Sequence, residues 1–459
     1  MRFQTAHTPA SLTEGPIAQS LIAFALPLFL GNLFQQLYNT ADSLIVGNFL
    51  GSEALAAVSS SGNLIFLMVG LINGISMGAG VVIARYFGAK DYDRMQKTIH
   101  TLLAFGLVAG ALLTVIGMTL SPVMLRLMDT PETVLPNSIS YFRTYFTGSL
   151  AFVLYNICMG ILQAVGDSRH PLQYLMISSL VNVVLDLIFV GALHWGAGGA
   201  AAATIIAQGI SFISAFVYLY RHREGFVFDF HPKSFRIVRA RLKTMLKVGV
   251  PFALQFSMLM ISMLFVVSMV NGYGVSASAG YGVGGKVDNF ATLPVYAFSS
   301  AASTMVGQNM GARQPQRAKS VVHWCVLMTL ICETVIFALV QLFAAQIISI
   351  FNGEPEVIAV GVQYLRYMAF AYLAHCFLDG YQSMANGVGF SMLSFICCTV
   401  DGLIVRIPLA WLFGSVLGMG IQGVFLGCMA APFSAGLISA GYFYSGVWKR
   451  QGLVKQETE

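Results

Sequence analysis

IAQSLIAFALPLFLGNLFQQLYNTADSLIV, residues Ile17 to Val46, runs for thirty positions with one charge. A bilayer-spanning helix needs about 20 apolar residues, so this stretch is long enough to cross. The charge is a carboxylate, Asp42, late in the run. Gln35, Asn39 and Asp42 fall at i, i+4 and i+7 and share one helical face. An acid surrounded by lipid costs several kcal/mol to keep ionised. This face must therefore turn into a bundle interior, where it finds partners or binds a cation.

Composition extends that reading to the whole chain. Of 459 residues, 57% are hydrophobic and 10% charged, against about 25% charged in a soluble domain. Continuous apolar runs, rather than short alternating segments, exclude a β-barrel and leave an α-helical bundle. Cys158, Cys325, Cys332, Cys376, Cys397, Cys398 and Cys428 all sit in such runs, without metal-ligand spacing. They read as small buried hydrophobes. No cleavage pattern follows the polar first sixteen residues, so the first span is expected to stay as an anchor.

Hydropathy and breakers predict twelve spans: 17–46, 54–84, 95–121, 137–164, 172–193, 197–220, 246–271, 277–308, 319–346, 357–386, 391–414 and 418–446. Alternate loops hold twenty Lys and Arg on one side, among them Arg2, Lys455 and eight between Arg221 and Lys247. The other side holds Arg126, Arg143 and Arg366. Such a split places both termini in the cytoplasm. The basic loops are expected to set orientation and contact lipid headgroups.

The chain also repeats itself. Gly88-Ala89-Lys90 matches Gly311-Ala312-Arg313, and Tyr141-Phe142-Arg143 matches Tyr364-Leu365-Arg366, each pair 223 positions apart. Pro27 matches Pro251, and Gly196-Ala197-Gly198 matches Gly418-Met419-Gly420. Each half has an even number of spans, so both enter the membrane from the same side. The expected fold is all-α and polytopic: twelve transmembrane helices in two six-helix lobes, related by a pseudo-two-fold axis along the membrane normal. The lobes cover 1–220 and 246–446, with a basic linker at 221–245 and a tail at 447–459.

These landmarks resemble the multidrug and toxic compound extrusion family. The likeness rests on Pro27 with Asn39-Thr40-Ala41-Asp42, on Gly88-Ala89-Lys90, and on Gln163-Ala164-Val165-Gly166-Asp167-Ser168-Arg169 with Pro171. Val306-Gly307-Gln308-Asn309-Met310-Gly311-Ala312-Arg313 and Arg406-Ile407-Pro408-Leu409-Ala410 add to it. It covers essentially the whole chain. The resemblance implies an antiporter that exports amphipathic, often cationic compounds against Na⁺ or H⁺. It also implies a cation site on Asp42, Asn156, Asn182, Asp186 and Thr204. In some members acids on the seventh and tenth spans contribute; here the seventh-span position is Gln255, which does not titrate, while Asp379 stands in the tenth.

The residues read alone converge on the same cluster. Asn182 and Asp186 are i, i+4 on the fifth span, with Ser178 and Ser179 a turn below. Counting from the span ends puts Asp42, Asp186 and Thr204 at one depth, in the outer half of the bilayer, and Asn156 deeper. Carboxylate, amide and hydroxyl oxygens together suit Na⁺, with Asp42, Asn182, Asp186 and Thr204 as its ligands. Without a metal ion two carboxylates repel, and a proton shared between them relieves it. Ion and substrate then each bias one of two conformational states.

Other positions carry less weight. His375 and Asp379 are i, i+4 on the tenth span and can pair or relay a proton. Lys286 and Asp288, at i, i+2, do not face each other, and Glu333 stands isolated in the ninth span. Asp401 and Arg406 share the eleventh span. Tyr38, Tyr155, Met260 and Met263 are the first places to look for a soft-walled substrate cavity. No GxxxxGK[ST] occurs, which argues against ATP, and no zinc or Ser/His/Asp motif within the spans suggests an enzyme. The expected partners are small-molecule substrates and the lipid bilayer, with no cofactor beyond the coupling ion, no nucleic acid and a monomeric chain. The expected location is the bacterial cytoplasmic membrane. The alternative is a flippase or exporter of a lipid-linked or anionic metabolite, which needs a strongly basic cavity.

Overall fold

The computed structural model describes residues 12–127, 130–223, 228–231 and 234–451. Arg2, Lys233 and Lys455 of the basic tally, part of the linker and residues 452–459 of the tail lie outside the described residues. Every regular element among the described residues is helical. That is the outcome expected where lipid offers the backbone no hydrogen-bond partner.

The first two spans form one run of helix, Ile17–Gly88, broken at Gly51. Gly51 has φ 81° and ψ −174°, a conformation only glycine adopts freely. The third span is Tyr92–Leu127. The fourth is a pair, Leu135–Thr147 and Ser149–Ala164, bent by 51° at Gly148. A Cβ on Gly148 would stand 2.4 Å from Ile205 Cβ, so the bend and the close approach of the sixth span require glycine. The fifth span is Arg169–Ala192, ending in a π-helical turn, Leu187–Ala192; the sixth is Gly196–Arg221. Then come Arg239–Asn271, Pro315–Ser349, Pro355–Gly387, Met392–Val416 and Ile421–Ser445 as the seventh, ninth, tenth, eleventh and twelfth.

Among the described residues, ten helices, and the bent fourth pair as an eleventh, are long and apolar enough to cross a membrane. The eighth span, expected as one run over 277–308, is two helices, Val275–Ala291 and Leu293–Gly311. Pro294 explains the restart, because it lacks an amide hydrogen and favours the first turn of a new helix. The first piece carries Lys286 and Asp288, and the second Ser299, Ser300, Ser303, Thr304, Gln308 and Asn309, which lowers its apolarity.

The repeat is written into the backbone. Lys90 has φ 56° and Arg313 φ 59°, both in the left-handed region. At each, the helix closes by the same long bond: Asp91 N donates to Tyr86 O (3.0 Å), and Gln314 N donates to Asn309 O (2.8 Å). This is the Schellman arrangement, with a basic residue where glycine is usual.

Two compact units result. Among the described residues, one comprises Leu30–Phe87 and Asp91–Gly249; the other Leu12–Phe29, Gly88–Lys90 and the chain from Val250 onward. The start of the first span thus belongs to the second unit. Leu12, Leu21, Phe24 and Ala25 are buried in a core with Ala301, Met305, Val322, Met384, Phe443 and Trp448. In the first unit, the segment before the seventh span lies over the third. His100 Nε2 meets Asp229 O (2.5 Å), and its ring stacks on Phe228 at 4.9 Å. Asp229 accepts from the Ser234 hydroxyl (2.5 Å) and the His231 amide (2.7 Å).

Candidate cation site

The first unit brings Asp42, Asn182, Asp186 and Thr204 together. Asp186 is the last α-helical residue of the fifth span before the π-helical turn, and it is wholly buried. Such wide turns recur at functional sites. Asn182 is buried one turn earlier, on the same face. With its amide oriented to satisfy both ends, Asn182 Nδ2 donates to Asp186 Oδ2 (3.2 Å) and its Oδ1 accepts from the Thr204 amide (3.2 Å). That orientation is assigned from the network. The Thr204 hydroxyl donates to Ala200 O on its own helix (3.1 Å).

Asp42 comes from the first span, half-buried, with its side chain within hydrogen-bonding reach of Asp186. Two bare carboxylates do not hold that distance unless a proton or cation stands between them. Oδ1 of Asp42 and Oδ1 of Asp186 each lack a hydrogen-bond partner. Four oxygen-bearing side chains from three spans therefore converge, with two carboxyl oxygens unspent. This donor set fits a hard monovalent cation or a shared proton.

Tyrosines form the surrounding wall. Tyr38, one turn before Asp42, faces Asp42, Asp186, Tyr145 and Tyr155. Tyr141 faces Asp42, Asp186, Tyr38 and Tyr145. Tyr145 hydrogen-bonds Gln208 of the sixth span. Tyr141, Tyr145 and Gln208 did not emerge as site residues from the sequence. The available signal was the i, i+4 tyrosine pair, one member of which belongs to the repeated Tyr-x-Arg motif.

Not every expected residue joins. Asn156 turns its amide back onto Phe152 O of its own helix (2.8 Å), and no hydrogen bond among the described residues ties it to the acids. Gln35 and Asn39 are exposed on the first span. Tyr155 is half-buried and reaches the site through Tyr38. Met260 and Met263 belong to the second unit, where Met263 is exposed and Met260 half-buried. In that unit His375 Nδ1 contacts Ala371 O (2.8 Å), and the ring faces Asp379 one turn on. Arg406 Nη2 donates to Asp401 Oδ2 (2.6 Å). Their five-residue spacing pairs them because Val400–Arg406 is π-helical.

Comparison with known proteins places this architecture. The MatE family model matches twice, over residues 27–188 and 251–412, which confirms the internal duplication. The probable multidrug resistance protein YpnP of Bacillus subtilis (strain 168) is 30% identical over 457 residues, covering 97% of this chain and 99% of that protein. Among solved structures, a MOP superfamily transporter from Pyrococcus furiosus aligns with a TM-score of 0.91 at 23% identity, over 96% of this chain and 98% of that one. A MATE structure in the straight conformation aligns equally well, with a TM-score of 0.91 over 97% of this chain and 100% of that one. The fold is that of these transporters, and a multi-pass membrane transporter, not an enzyme, is the result. The chain belongs to the MatE family of multidrug and toxic compound extrusion transporters.

Proposed function

We propose that the protein exports amphipathic, often cationic compounds in exchange for Na⁺ or H⁺, with Asp42 and Asp186 as the coupling pair. One observation carries this reading: two carboxyls from different spans face each other out of bulk water, each with an oxygen left unpaired. Asn182 and Thr204 are the supporting donors and ligands. Neutralising the pair removes the cost of a buried double negative charge, so ion binding favours one conformational state over the other. The names of relatives, among them YpnP, support a multidrug cargo. Against a lipid-linked diphosphate stands the occupation of Arg406 by Asp401.

The test is efflux of tetraphenylphosphonium from everted vesicles, energised first by a Na⁺ gradient and then by a pH gradient. Asp42→Asn and Asp186→Asn are each expected to lower gradient-driven efflux roughly 10-fold or more without loss of insertion. Full efflux by Asp42→Asn under both gradients would remove the pair from the mechanism.

A further inference from the structure

The second unit contains a buried acid that the reading above leaves unused. Glu333, midway along the ninth span, is 0% exposed, and neither of its carboxyl oxygens has a hydrogen-bond partner. Facing it are Asp288 of the eighth span and Tyr372 and Cys376 of the tenth, with Cys332 adjacent on its own helix. None of these is a cation. Asp288 in turn faces Tyr281 on its own span, Tyr364, Tyr372 and His375 of the tenth, Arg406 of the eleventh and Cys428 of the twelfth. The Tyr364 hydroxyl donates to Asp288 Oδ2 at 3.5 Å, and Oδ1 stays unpaired. The buried hydroxyl of Tyr372 faces both acids without closing a hydrogen bond of ordinary geometry. Arg406 is held by Asp401 at 2.6 Å, so its charge is largely spent there.

An ionised glutamate with no donor and an acid for a neighbour is among the most costly arrangements a protein interior can hold. Packing alone would be served by methionine or glutamine at the same position. From this geometry we infer that the second unit has its own proton site, with Glu333 as the carrier and Asp288 and Tyr372 as its immediate neighbours. In the closed surroundings described here Glu333 is the neutral acid. When water reaches it, the O–H bond breaks, the proton passes to water and the carboxylate remains. The site is separate from the Asp42–Asp186 pair and does not depend on that pair's role.

The repeat supports the placement. Tyr364 stands 223 positions after Tyr141, and each faces an intramembrane acid within its own unit, Asp186 for Tyr141 and the half-buried Asp288 for Tyr364. The acids themselves occupy unrelated repeat positions, so the second site is not a copy of the first.

Infrared difference spectroscopy on the purified full chain in liposomes, titrated from acid to alkaline pH, tests this. The carbonyl-stretch band of a protonated, weakly hydrogen-bonded carboxylic acid is expected in the wild type. It is expected to vanish in Glu333→Gln, to persist at a shifted frequency in Glu333→Asp, and to survive Asp42→Asn. Asp288→Asn, which removes the negative neighbour, is expected to move the titration of that band to lower pH, and this reading does not need the glutamine variant to fold. A spectrum unchanged by Glu333→Gln, or a titration unmoved by Asp288→Asn, overturns the proposal. Neither outcome bears on tetraphenylphosphonium efflux by Asp42→Asn, so the two readings fail separately.

Discussion

Tyr141 shows how a neutral side chain serves an acidic site. Its ring is buried and faces both Asp42 and Asp186. On the proposed coupling role of the pair, Tyr141→Phe, which removes the hydroxyl dipole facing both acids, is expected to weaken coupling-ion binding several-fold while leaving the fold intact, as read by the Na⁺ and pH dependence of tetraphenylphosphonium efflux. Outside the spans, Asp229 is a simpler titration. The Ser234 hydroxyl, with help from the His231 amide, holds its carboxyl below the usual carboxylate range. A depressed acid stabilises the docked linker above its ordinary value, near about 4, and that contribution disappears as pH falls through the lowered one. Protease cleavage between the sixth and seventh spans is expected to be slow at neutral pH and to quicken in Asp229→Ala. The acids of the first unit were legible in the sequence because a carboxylate in an apolar run has few reasons to exist. Tyr38 and Tyr155 were picked out only as cavity candidates, and Tyr141 and Tyr145 not at all, because an aromatic in such a run is ordinary packing. Asn156 was included through the resemblance, and its back-bond to Phe152 depends on a rotamer that no sequence pattern specifies.

At the level of elements, most of the expected spans were legible, because lipid imposes length on each: among the described residues ten helices and one bent pair are long and apolar enough to cross, with ends that run past the expected limits by up to several residues. The breaks were less so. Pro294 announced the restart of the eighth span, but the 51° bend of the fourth depends on how closely Gly148 lets Ile205 approach. The π-helical turns left no sequence signal at all, and the Asp401–Arg406 pair, five residues apart, would not form on an α-helix. Tight packing gives a further prediction. A Cβ on Gly427 would lie 2.4 Å from the Ala410 backbone nitrogen, so the eleventh and twelfth spans touch through backbone. Gly427→Val is expected to lower the thermal unfolding temperature in detergent by several degrees, corresponding to about 1–3 kcal/mol of overpacking. Gly441, with nothing within 4 Å of its added Cβ, is the control site for the same substitution.

For the whole molecule, the informative feature is where the first span's opening turns are buried. Leu21 and Phe24 sit in the core of the second unit, not with the span's own later residues. A chain severed within 224–233 and expressed as two pieces is expected to copurify through that core. Phe24→Ala should weaken recovery of the complex, since truncating a buried phenylalanine costs about 3–5 kcal/mol. Duplication itself was visible in the sequence as matched corners. The assignment of Leu12–Phe29 to the second unit was not, because a hydropathy profile gives no information about which neighbours a span packs against.

The matched corners at Lys90 and Arg313 have a historical consequence. A non-glycine residue held at positive φ is an uncommon choice, and two unrelated segments have little reason to settle on it with the same closing bond. The simplest ancestor is one short gene, doubled end to end, whose joints were inherited unchanged. What diverged afterwards was the chemistry: one descendant half carries its intramembrane acids on its first and fifth helices, the other on its second, third, fourth and fifth. Two copies that began equal now hold different sets of acids within one chain.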